Sequence, residues 1–547
     1  MLSNLDNASG PQIRQLREKY ISASEARETA VRRAVHARLE NAPLRLINTY
    51  WTFMQSRRTD HQETVIHYRV LQSALQHSVV NYIFPMINAF IDSIEYKELF
   101  PLSVMHGPLQ TELIKEAVAK YFSWVMLSHR WERTEPLLHD IQDRDIYDLD
   151  PVGTFVKLQK CCEVAREAGY RWAWSDTCCI DQNNNVELQQ SVNSMFIWYH
   201  YSALTIIYLS DDWNTRGWTV EEFLAPKIVL FYQADWTLYL DNRSRNHKQS
   251  VSIMKELERS TGINAQALVD FRPGTRDARE KLQWASMRIT TLQEDIAYSL
   301  FGIFGVHLPV IYGENRQNAL GRLLQEIIAH SGDITALDWV GQSSDFNSCL
   351  PAEILHTKHR HNSVSTLRNN VAVESTTKLY DTLENLNAPR FANARLPLPC
   401  IAFPLKEVRR SLDEDGDKRF TYEVKADGLQ HLVVTTEDKL VQFSPARCTR
   451  QIFLLDRPRN RYDLELVDFT DESQSVDDWS DELGDDELVA RGLRLLIRLA
   501  RPFGALLLAQ QRGGEYKRIA SDNHIIAQVR DTASVDNLMN IRTLAIL

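Results

Sequence analysis

The region from residue 121 to residue 236 contains three hydrophobic segments of strand length, each followed by a segment with helical character. The three predicted strands cover residues 124–127, 170–174 and 204–209. Regular alternation of strands and helices indicates a parallel sheet with helices on its faces. We therefore predict an α/β fold around a mostly parallel sheet, with 228–232 as a fourth strand and 236–240 as a candidate fifth.

Polar and aromatic residues follow each of these strands directly. In a parallel sheet the carboxyl ends of the strands lie at one edge, and ligands bind outside that edge. We therefore expect these residues to converge on one rim of the sheet. The candidate site residues are Ser128, His129, Arg130 and Trp131 after the first strand, Asp176 after the second, and Arg216, Trp218 and Glu222 after the third.

The helices between the strands are predicted from apolar spacing and end signals. Residues 153–168 carry an apolar stripe of helical period. Asn184 and Glu187 have the spacing of a capping box, which opens the next helix. The same spacing at Thr291 and Glu294 predicts a further helix that continues through residue 304.

A chain of 547 residues suggests roughly three domains. We predict a helical N-terminal region over 1–118 and a central domain with a following helical segment over 119–342. Residues 343–547 carry short alternating segments that indicate a β-rich accessory domain. Between residues 463 and 487 the sequence has twelve acidic residues and no Lys or Arg, which predicts a disordered acidic loop.

Three of the predicted helices lie outside the strand-rich region. Residues 21–39 are charged and rich in Ala, and residues 65–90 carry an apolar stripe that we interpret as a packing face. Residues 315–330 form an amphipathic pattern with leucines and isoleucines on one side. We expect this last helix to pack beside the sheet.

Charge and cysteine content restrict the classes of partner and compartment. The net charge of −10 is concentrated in the acidic segment, and no basic face points to a nucleic acid. The best membrane candidate, residues 296–312, is interrupted by Gly and Pro and is shorter than the roughly 20 residues that a span needs. The seven cysteines are odd in number and include two adjacent pairs, which indicates a reduced cytoplasmic protein.

Four ordered motifs resemble the heterokaryon incompatibility (HET) domain of filamentous fungi. They are WVMLSHRW, GYRWAWSDTCCIDQ, SVNSMFIWYHYSALTIIYLSD and RGWTVEEFLAPKIVLFYQADW. The later SMRITTLQEDIAYSLFGIFGVHLPVIYGE resembles the segment that commonly follows, so the resemblance covers roughly residues 120–340. It implies non-self recognition between fungal strains that triggers programmed cell death.

The HET domain is more distantly similar to the TIR domain, some members of which cleave the nicotinamide–ribose bond of NAD. The TIR catalytic helix carries the pattern Trp-Cys-x-x-Glu-Leu. Here residues 218–223 read WTVEEF at the corresponding place, after the third strand. The resemblance therefore places Glu222 on the catalytic position, with Thr219 in place of Cys and Phe223 in place of Leu.

Such chemistry would assign a role to each candidate residue. A carboxylate such as Glu222 would stabilise the oxocarbenium ion, as in glycosidases. Trp131 and Trp218 would stack on nicotinamide or adenine. Arg130 and Arg216 would hold the pyrophosphate. Asp176, at the end of the second strand, would bind a ribose hydroxyl.

Each residue also has a structural explanation. Thr219 and Glu222 have capping-box spacing, and Asp176 would serve as an acceptor for its own loop. The arginines would pair with nearby acids such as 211, 212 and 132, and the tryptophans would anchor the core. Glu221 is expected to be a solvated acid in the first turn of its helix, where the helix dipole favours it.

Other chemistries fit the sequence less well. The adjacent cysteine pairs 161–162 and 178–179 suit a tetrahedral zinc site poorly. A Cys–His nucleophile formed by Cys178 or Cys179 with His129 is also disfavoured if these cysteines are buried. No glycine-rich phosphate loop is present. The leading hypothesis is a cytoplasmic death effector that needs no cofactor and cleaves NAD or a related nucleotide. The alternative is a non-enzymatic module that signals by assembling with itself or with an incompatibility partner.

Overall fold

The structure is a computed structural model, and the chain forms two compact units within it. The first unit comprises residues 1–214 and 219–271, and the second comprises 215–218 and 272–547. Four residues of the second unit therefore interrupt the first along the chain. The structure describes residues 23–50, 90–98, 108–142, 144–150, 152–209, 213–331, 334–354, 389–392, 394–411, 420–437, 439–440, 452–456, 503–529 and 540–547.

The first unit is an α/β arrangement with helices in the connections between strands. Its strands are β1 (Ile47–Asn48), β2 (Trp124–Ser128), β3 (Trp172–Trp174), β4 (Leu204–Tyr208) and β5 (Val229–Tyr232). Its helices are α1 (Ala23–Leu39), α2 (Ile94–Lys97), α3 (Pro108–Tyr121), α4 (Leu138–Ile141), α5 (Thr154–Glu167), α6 (Asp176–Cys179), α7 (Asn185–Tyr201), α8 (Thr219–Leu224), α9 (Val251–Thr261) and α10 (Ala265–Val269). Short 3-10 turns cover Trp213–Thr215, Tyr239–Asp241 and His247–Gln249.

The sheet of the first unit has the strand order β1-β3-β2-β4-β5. The four strands from β3 to β5 are parallel, and Val125 of β2 lies opposite Ala173 of β3 on one side and Leu204 of β4 on the other. β1 pairs with β3 in the antiparallel sense, so the sheet is mixed. All five residues of β2 are buried, which is typical of a central strand with both faces covered.

Two strand predictions need correction. The second strand is shorter than predicted because residues before Trp172 close the preceding helix: the Tyr170 amide donates to the Ala165 carbonyl at 2.9 Å, as in a Schellman ending. The segment 236–240 is not a strand, since Trp236 and Leu240 both adopt left-handed backbone conformations. The fifth strand is β1, which the apolar pattern did not reveal.

The predicted helices of this unit that the structure describes are present, with one change in the hydrogen bonding of a cap. α5 spans most of the predicted helix, and the Asn184 side chain accepts from the Glu187 amide at the start of α7. The Glu187 carboxylate does not complete the predicted capping box. It forms a buried bidentate pair with Arg45, and it also accepts from the Asp181 amide at 2.8 Å.

Among its described residues, the second unit contains four short or medium helices and a second sheet. The helices are α11 (Ala278–Ala285), α12 (Asp295–Tyr298), α13 (Phe301–Phe304) and α14 (Arg316–Ser331), followed by a 3-10 turn at Ile334–Leu337. The strands are β6 (Leu396–Arg410), β7 (Phe420–Ala426), β8 (Leu432–Thr436), β9 (Ile452–Asp456), β10 (Phe503–Gln510), β11 (Tyr516–Ile519), β12 (Ile525–Ala527) and β13 (Asn540–Ile546).

The second sheet is largely antiparallel, in the order β12-β10-β11-β13-β6-β7-β8, and β9 pairs with β10 and β6. Gly513 and Gly514 have positive φ and lie in the hairpin between β10 and β11. The helix predicted over 291–304 is instead two short helices, α12 and α13. Glu294 accepts from the Gly313 amide and does not act as a capping-box residue.

Several predictions lie wholly or mostly outside the described residues, namely the helix over 65–90, the acidic loop over 463–487 and the acids at 211 and 212. The domain boundaries at 118 and 342 stay predictions. Within the described part of the chain, no helix is both long and apolar enough to cross a membrane.

The buried pair of Arg45 and Glu187 predicts a specific stability pattern. Replacing Arg45 by Met leaves the Glu187 carboxylate buried without its cation, and it should lower the free energy of unfolding by about 3–5 kcal/mol. The double variant Arg45→Met/Glu187→Gln should recover part of that loss, because the uncompensated charge is gone while the acceptor for Asp181 remains. Urea unfolding followed by tryptophan fluorescence measures both.

The exposed pair of Arg32 and Glu28 provides the matched control. Arg32→Met should cost less than about 1 kcal/mol, because an ion pair in water contributes little. A double variant no more stable than Arg45→Met alone would contradict the assignment of the loss to an orphaned charge.

Candidate functional site

The inner part of the rim joins the end of β2 to the helix that follows β4. Ser128, the last residue of β2, donates its hydroxyl to Glu222 Oε2 at 2.5 Å. The Trp213 indole donates in turn to Ser128 Oγ at 2.9 Å. Ser128 is 1% and Glu222 is 7% exposed. The Glu222 carboxylate therefore faces the carboxyl end of the sheet from a nearly dry position.

The outer part of the rim joins the ends of β2 and β3. His129 Nε2 lies 3.1 Å from Asp176 Oδ1 and 3.2 Å from Ser175 Oγ. The Trp131 indole donates to Asp176 Oδ2 at 2.6 Å. The His129 side chain is 1% exposed, whereas that of Asp176 is 23% exposed and Trp131 is 41% exposed. This half of the rim is open to solvent on the side of Trp131, which is therefore not a core anchor.

Helix α8, which carries Glu222, is held at both ends. Its first residue, Thr219, donates its hydroxyl to the Trp213 carbonyl at 3.3 Å. At its end, Lys248 Nζ donates to the Leu224 carbonyl at 3.1 Å. Burial lowers the pKa of Lys248 to about 7. Both contacts fix the helix relative to the strand ends and so fix the direction of the Glu222 side chain.

Arg216 and Trp218 belong to the second unit. The Trp218 indole donates to Asp295 Oδ2 at 3.1 Å, and the Arg216 carbonyl accepts from Arg288 at 3.0 Å. Burial raises the pKa of Asp295 to about 6, against the hydrogen bond from Trp218, which lowers it. Gly217 lies between them against Thr290 and Ser299, where a Cβ atom would come within 2.6 Å of Thr290 Cγ2.

Arg130 lies on an exposed turn, and its carbonyl accepts from Lys157 Nζ at 3.1 Å. The structure thus brings Ser128 and Glu222 into contact, and it brings His129 and Trp131 onto Asp176. The substrate-binding and catalytic assignments of these residues stay predictions.

Glu221 is not the solvated acid that its position in the first turn of a helix suggested. It is 1% exposed, and neither carboxylate oxygen has a hydrogen-bond partner among the described residues. Burial, reinforced by the neighbouring Glu222, raises the pKa of Glu221 well above its ordinary value. The prediction failed because all six residues of α8 are buried, so the helix has no solvent face for an acid.

Three residues of this region were missed from the sequence. One is Trp213, in the turn before α8. The other two are Lys157 and Glu135, whose Nζ and Oε1 atoms lie 2.6 Å apart beside His129. A usable indication existed for Lys157. It precedes Cys161 by four residues, so it lies on the buried stripe of α5, where a lysine requires a partner.

The cysteine chemistries gain no support from the geometry. Cys161, Cys162, Cys178 and Cys179 are free and buried. A hydrogen bond with the Cys179 side chain and burial both raise the pKa of Cys178 well above its ordinary value, so it is a thiol at neutral pH. Among the described residues, no group of three His, Cys, Asp or Glu side chains is arranged to hold a metal ion.

Comparison with known proteins finds a family model and a relative that this region resembles. Residues 124–223 match the family model described as heterokaryon incompatibility protein (HET), a segment that includes all eight predicted site residues. The chain is also 34% identical over 237 residues to the vegetative incompatibility protein HET-E-1 of Podospora anserina. That match covers 39% of this chain and 17% of the relative, so the chain matches less than a fifth of the relative's length. No solved structure matches the chain.

The raised pKa of Glu221 predicts how stability depends on pH. The folded protein retains the proton above pH 4.5, where the unfolded carboxyl loses it. Stability contributed by this group is therefore complete below pH 4.5 and falls as pH rises, with a slope of up to about 1.4 kcal/mol per pH unit. Glu221→Gln should flatten this dependence and be at least as stable as the parent at pH 8.

Thermal unfolding from pH 4 to pH 8 measures this difference, and the exposed Glu116→Gln supplies the control. Parallel stability profiles for the parent and Glu221→Gln would show that Glu221 is ionised in the folded protein.

Proposed function

We propose that this chain acts in non-self recognition between fungal strains and triggers cell death, because residues 124–223 match the family model described as heterokaryon incompatibility protein (HET). The similarity to a vegetative incompatibility protein supports the same role. We further propose that the rim of the first sheet is an active site that cleaves the nicotinamide–ribose bond of NAD or a related nucleotide.

The contact between Ser128 and Glu222 is the observation that carries the enzymatic proposal. It shows a buried carboxylate aimed at the carboxyl end of a parallel sheet, where ligands of α/β proteins bind. A carboxylate in a poorly hydrated position stabilises a developing cation more strongly than one in water. The Ser128 hydroxyl keeps that carboxylate oriented during the reaction.

The reaction requires a cation stabiliser more than an acid. The bond between ribose C1′ and the nicotinamide nitrogen breaks with both electrons moving to the nitrogen, so nicotinamide leaves neutral. Glu222 would stabilise the resulting oxocarbenium ion, and water would then bond to C1′ and release a proton. Asp176, which His129 and Trp131 hold in place, would accept a hydrogen bond from a ribose hydroxyl.

The exposed edge of the rim would bind the rest of the dinucleotide. Trp131 is 41% exposed and would stack on a base, while the exposed Arg130 beside it would pair with the pyrophosphate. The contacts of Trp218 and Arg216 described above lie within the second unit. Their roles in stacking on a base and in holding the pyrophosphate stay predictions.

Assembly with a protein partner is the second candidate. Four of the exposed large apolar side chains of the second unit lie within residues 287–311, and exposed apolar groups of this kind are typical of protein-binding surfaces. They are Met287 (73%), Ile289 (71%), Leu292 (45%) and Ile311 (49%). Two hydrogen bonds join the segment that carries Met287, Ile289 and Leu292 to the segment that carries Ile311. Gln293 donates to the Glu314 carbonyl, and the Gly313 amide donates to Glu294.

Glu222→Gln separates the two candidates. The purified protein should release nicotinamide from NAD, and Glu222→Gln should lower the rate at least roughly a hundredfold, because the amide cannot neutralise the developing positive charge. The melting temperature should stay unchanged, since Gln still accepts from Ser128. Chromatography of released nicotinamide measures the rate.

Glu221→Gln is the matched control on the neighbouring carboxyl, and it should retain the parent rate. Absence of nicotinamide release by the parent, or a Glu222→Gln rate equal to the parent rate, would refute the enzymatic proposal. Cell death that persists in fungal cells expressing Glu222→Gln would then favour assembly.

A further inference from the structure

Lys157 is a buried cation that contacts the loop of the candidate site from behind. It is 4% exposed and lies in the first turn of α5. Its ammonium donates to Glu135 Oε1 at 2.6 Å and to the Arg130 carbonyl at 3.1 Å, and it lies 3.5 Å from Glu132 Oε1. One side chain thus contacts the loop over residues 130–135 at three points.

This placement is unfavourable for the helix and of little value for stability. The first turn of a helix carries partial positive charge, which disfavours a cation there. A buried ion pair also loses hydration that its mutual attraction barely repays. The Lys157 and Glu135 side chains are 5% and 4% exposed, so both lose most of their water. A role other than stabilising the fold therefore explains the lysine better.

Lys157 contacts the chain on both sides of Trp131, the residue proposed to stack on a base of the substrate. Arg130 and Glu135 flank Trp131 in the chain, and the Trp131 indole donates to Asp176 Oδ2 at 2.6 Å. The same helix end holds the loop at another point, where the Thr154 hydroxyl donates to the Thr134 carbonyl. The loop is therefore fixed on both sides of the tryptophan.

The same network reaches His129. Glu135 Oε1 accepts from the Glu132 amide at 2.7 Å and lies 3.8 Å from His129 Nδ1. His129 Nδ1 and Glu135 Oε2 are buried and have no hydrogen-bond partner among the described residues. Lys157 thus contacts the same Glu135 carboxyl that lies beside the imidazole.

We propose that Lys157 is a positioning residue that holds the 130–135 loop in the shape that presents Trp131 and Arg130 to the nucleotide. This inference rests on the proposed function of the rim. Because Trp131 and Arg130 contact the bound substrate and not the breaking bond, Lys157 acts on substrate affinity. The chemical step at Glu222 is unaffected by it.

Lys157→Met tests the proposal, with Lys160→Met as the matched control. Lys160 lies on the same helix and pairs with Glu163 on the exposed side. Lys157→Met should raise KM for NAD about tenfold with kcat within twofold of the parent, and Lys160→Met should change neither. In Glu222→Gln protein, calorimetry should show the same tenfold weaker binding of NAD. A fall in kcat at unchanged KM would overturn the proposal.

A double variant distinguishes positioning from simple charge neutralisation. Lys157→Met/Glu135→Gln removes the orphaned carboxylate and keeps an acceptor for the Glu132 amide. Its melting temperature should recover toward that of the parent, while KM should stay raised because the Arg130 carbonyl has lost its donor. Recovery of KM together with stability would show that Lys157 only neutralises Glu135, and the proposal would fail.

Hydrogen exchange tests the positioning without any nucleotide. The amides of residues 130–135 should exchange at least about tenfold faster in Lys157→Met than in the parent and in Lys160→Met, with the strands of the sheet unchanged. Equal exchange of the loop in all three proteins would refute the positioning role. Failure of NAD binding and cleavage with faster loop exchange would instead refute the proposed substrate and leave the loop anchor established.

Discussion

The parallel pairing of β2 with both of its neighbours is the constraint on which the rest of the site depends. β2 lies between β3 and β4, so its carboxyl end meets the ends of two other strands. Successive residues at that end, Ser128 and His129, reach in different directions. The first contacts Glu222 on the helix after β4, and the second contacts Asp176 after β3. An antiparallel neighbour would place its polar end at the opposite edge of the sheet.

The buried carboxylates and cations near this rim differ in the partners that surround them. Two buried cations are paired with carboxylates, Arg45 with Glu187 and Lys157 with Glu135, whereas Lys248 donates to a backbone carbonyl. Glu221 is buried without such a partner among the described residues, and its raised pKa shows that the fold tolerates it as a neutral acid. Glu222, one residue later, accepts a hydrogen bond from Ser128. The two neighbouring carboxyls of α8 therefore have different surroundings.

The strands and the meeting of their ends could be predicted from the sequence, because a buried parallel strand is a continuous apolar run and its carboxyl end is fixed by chain direction. The short antiparallel β1 could not, since two residues carry no periodicity. Glu221 and Lys157 were misjudged or missed for a common reason. Local patterns assign charged residues to solvent, and only the packing of whole elements shows that a helix such as α8 has no exposed side. Which compact unit Trp218 joins could not be predicted either, because sequence proximity to Glu222 does not reveal it.

Residues 215–218, which precede α8, limit which parts of this region can be inherited separately. Thr215 accepts from the Ile289 amide and Gly217 donates to the Ile289 carbonyl, so residues 215–218 are built into the second unit. The family match over 124–223 includes them, although the unit that holds them lies mostly beyond residue 271. The matched segment therefore lacks the backbone partner of Thr215 and Gly217, which is Ile289. A recombination event that transferred the matched segment alone would carry a backbone stretch away from its hydrogen-bonding partners, so the segment and the region around residue 289 are expected to travel together in evolution.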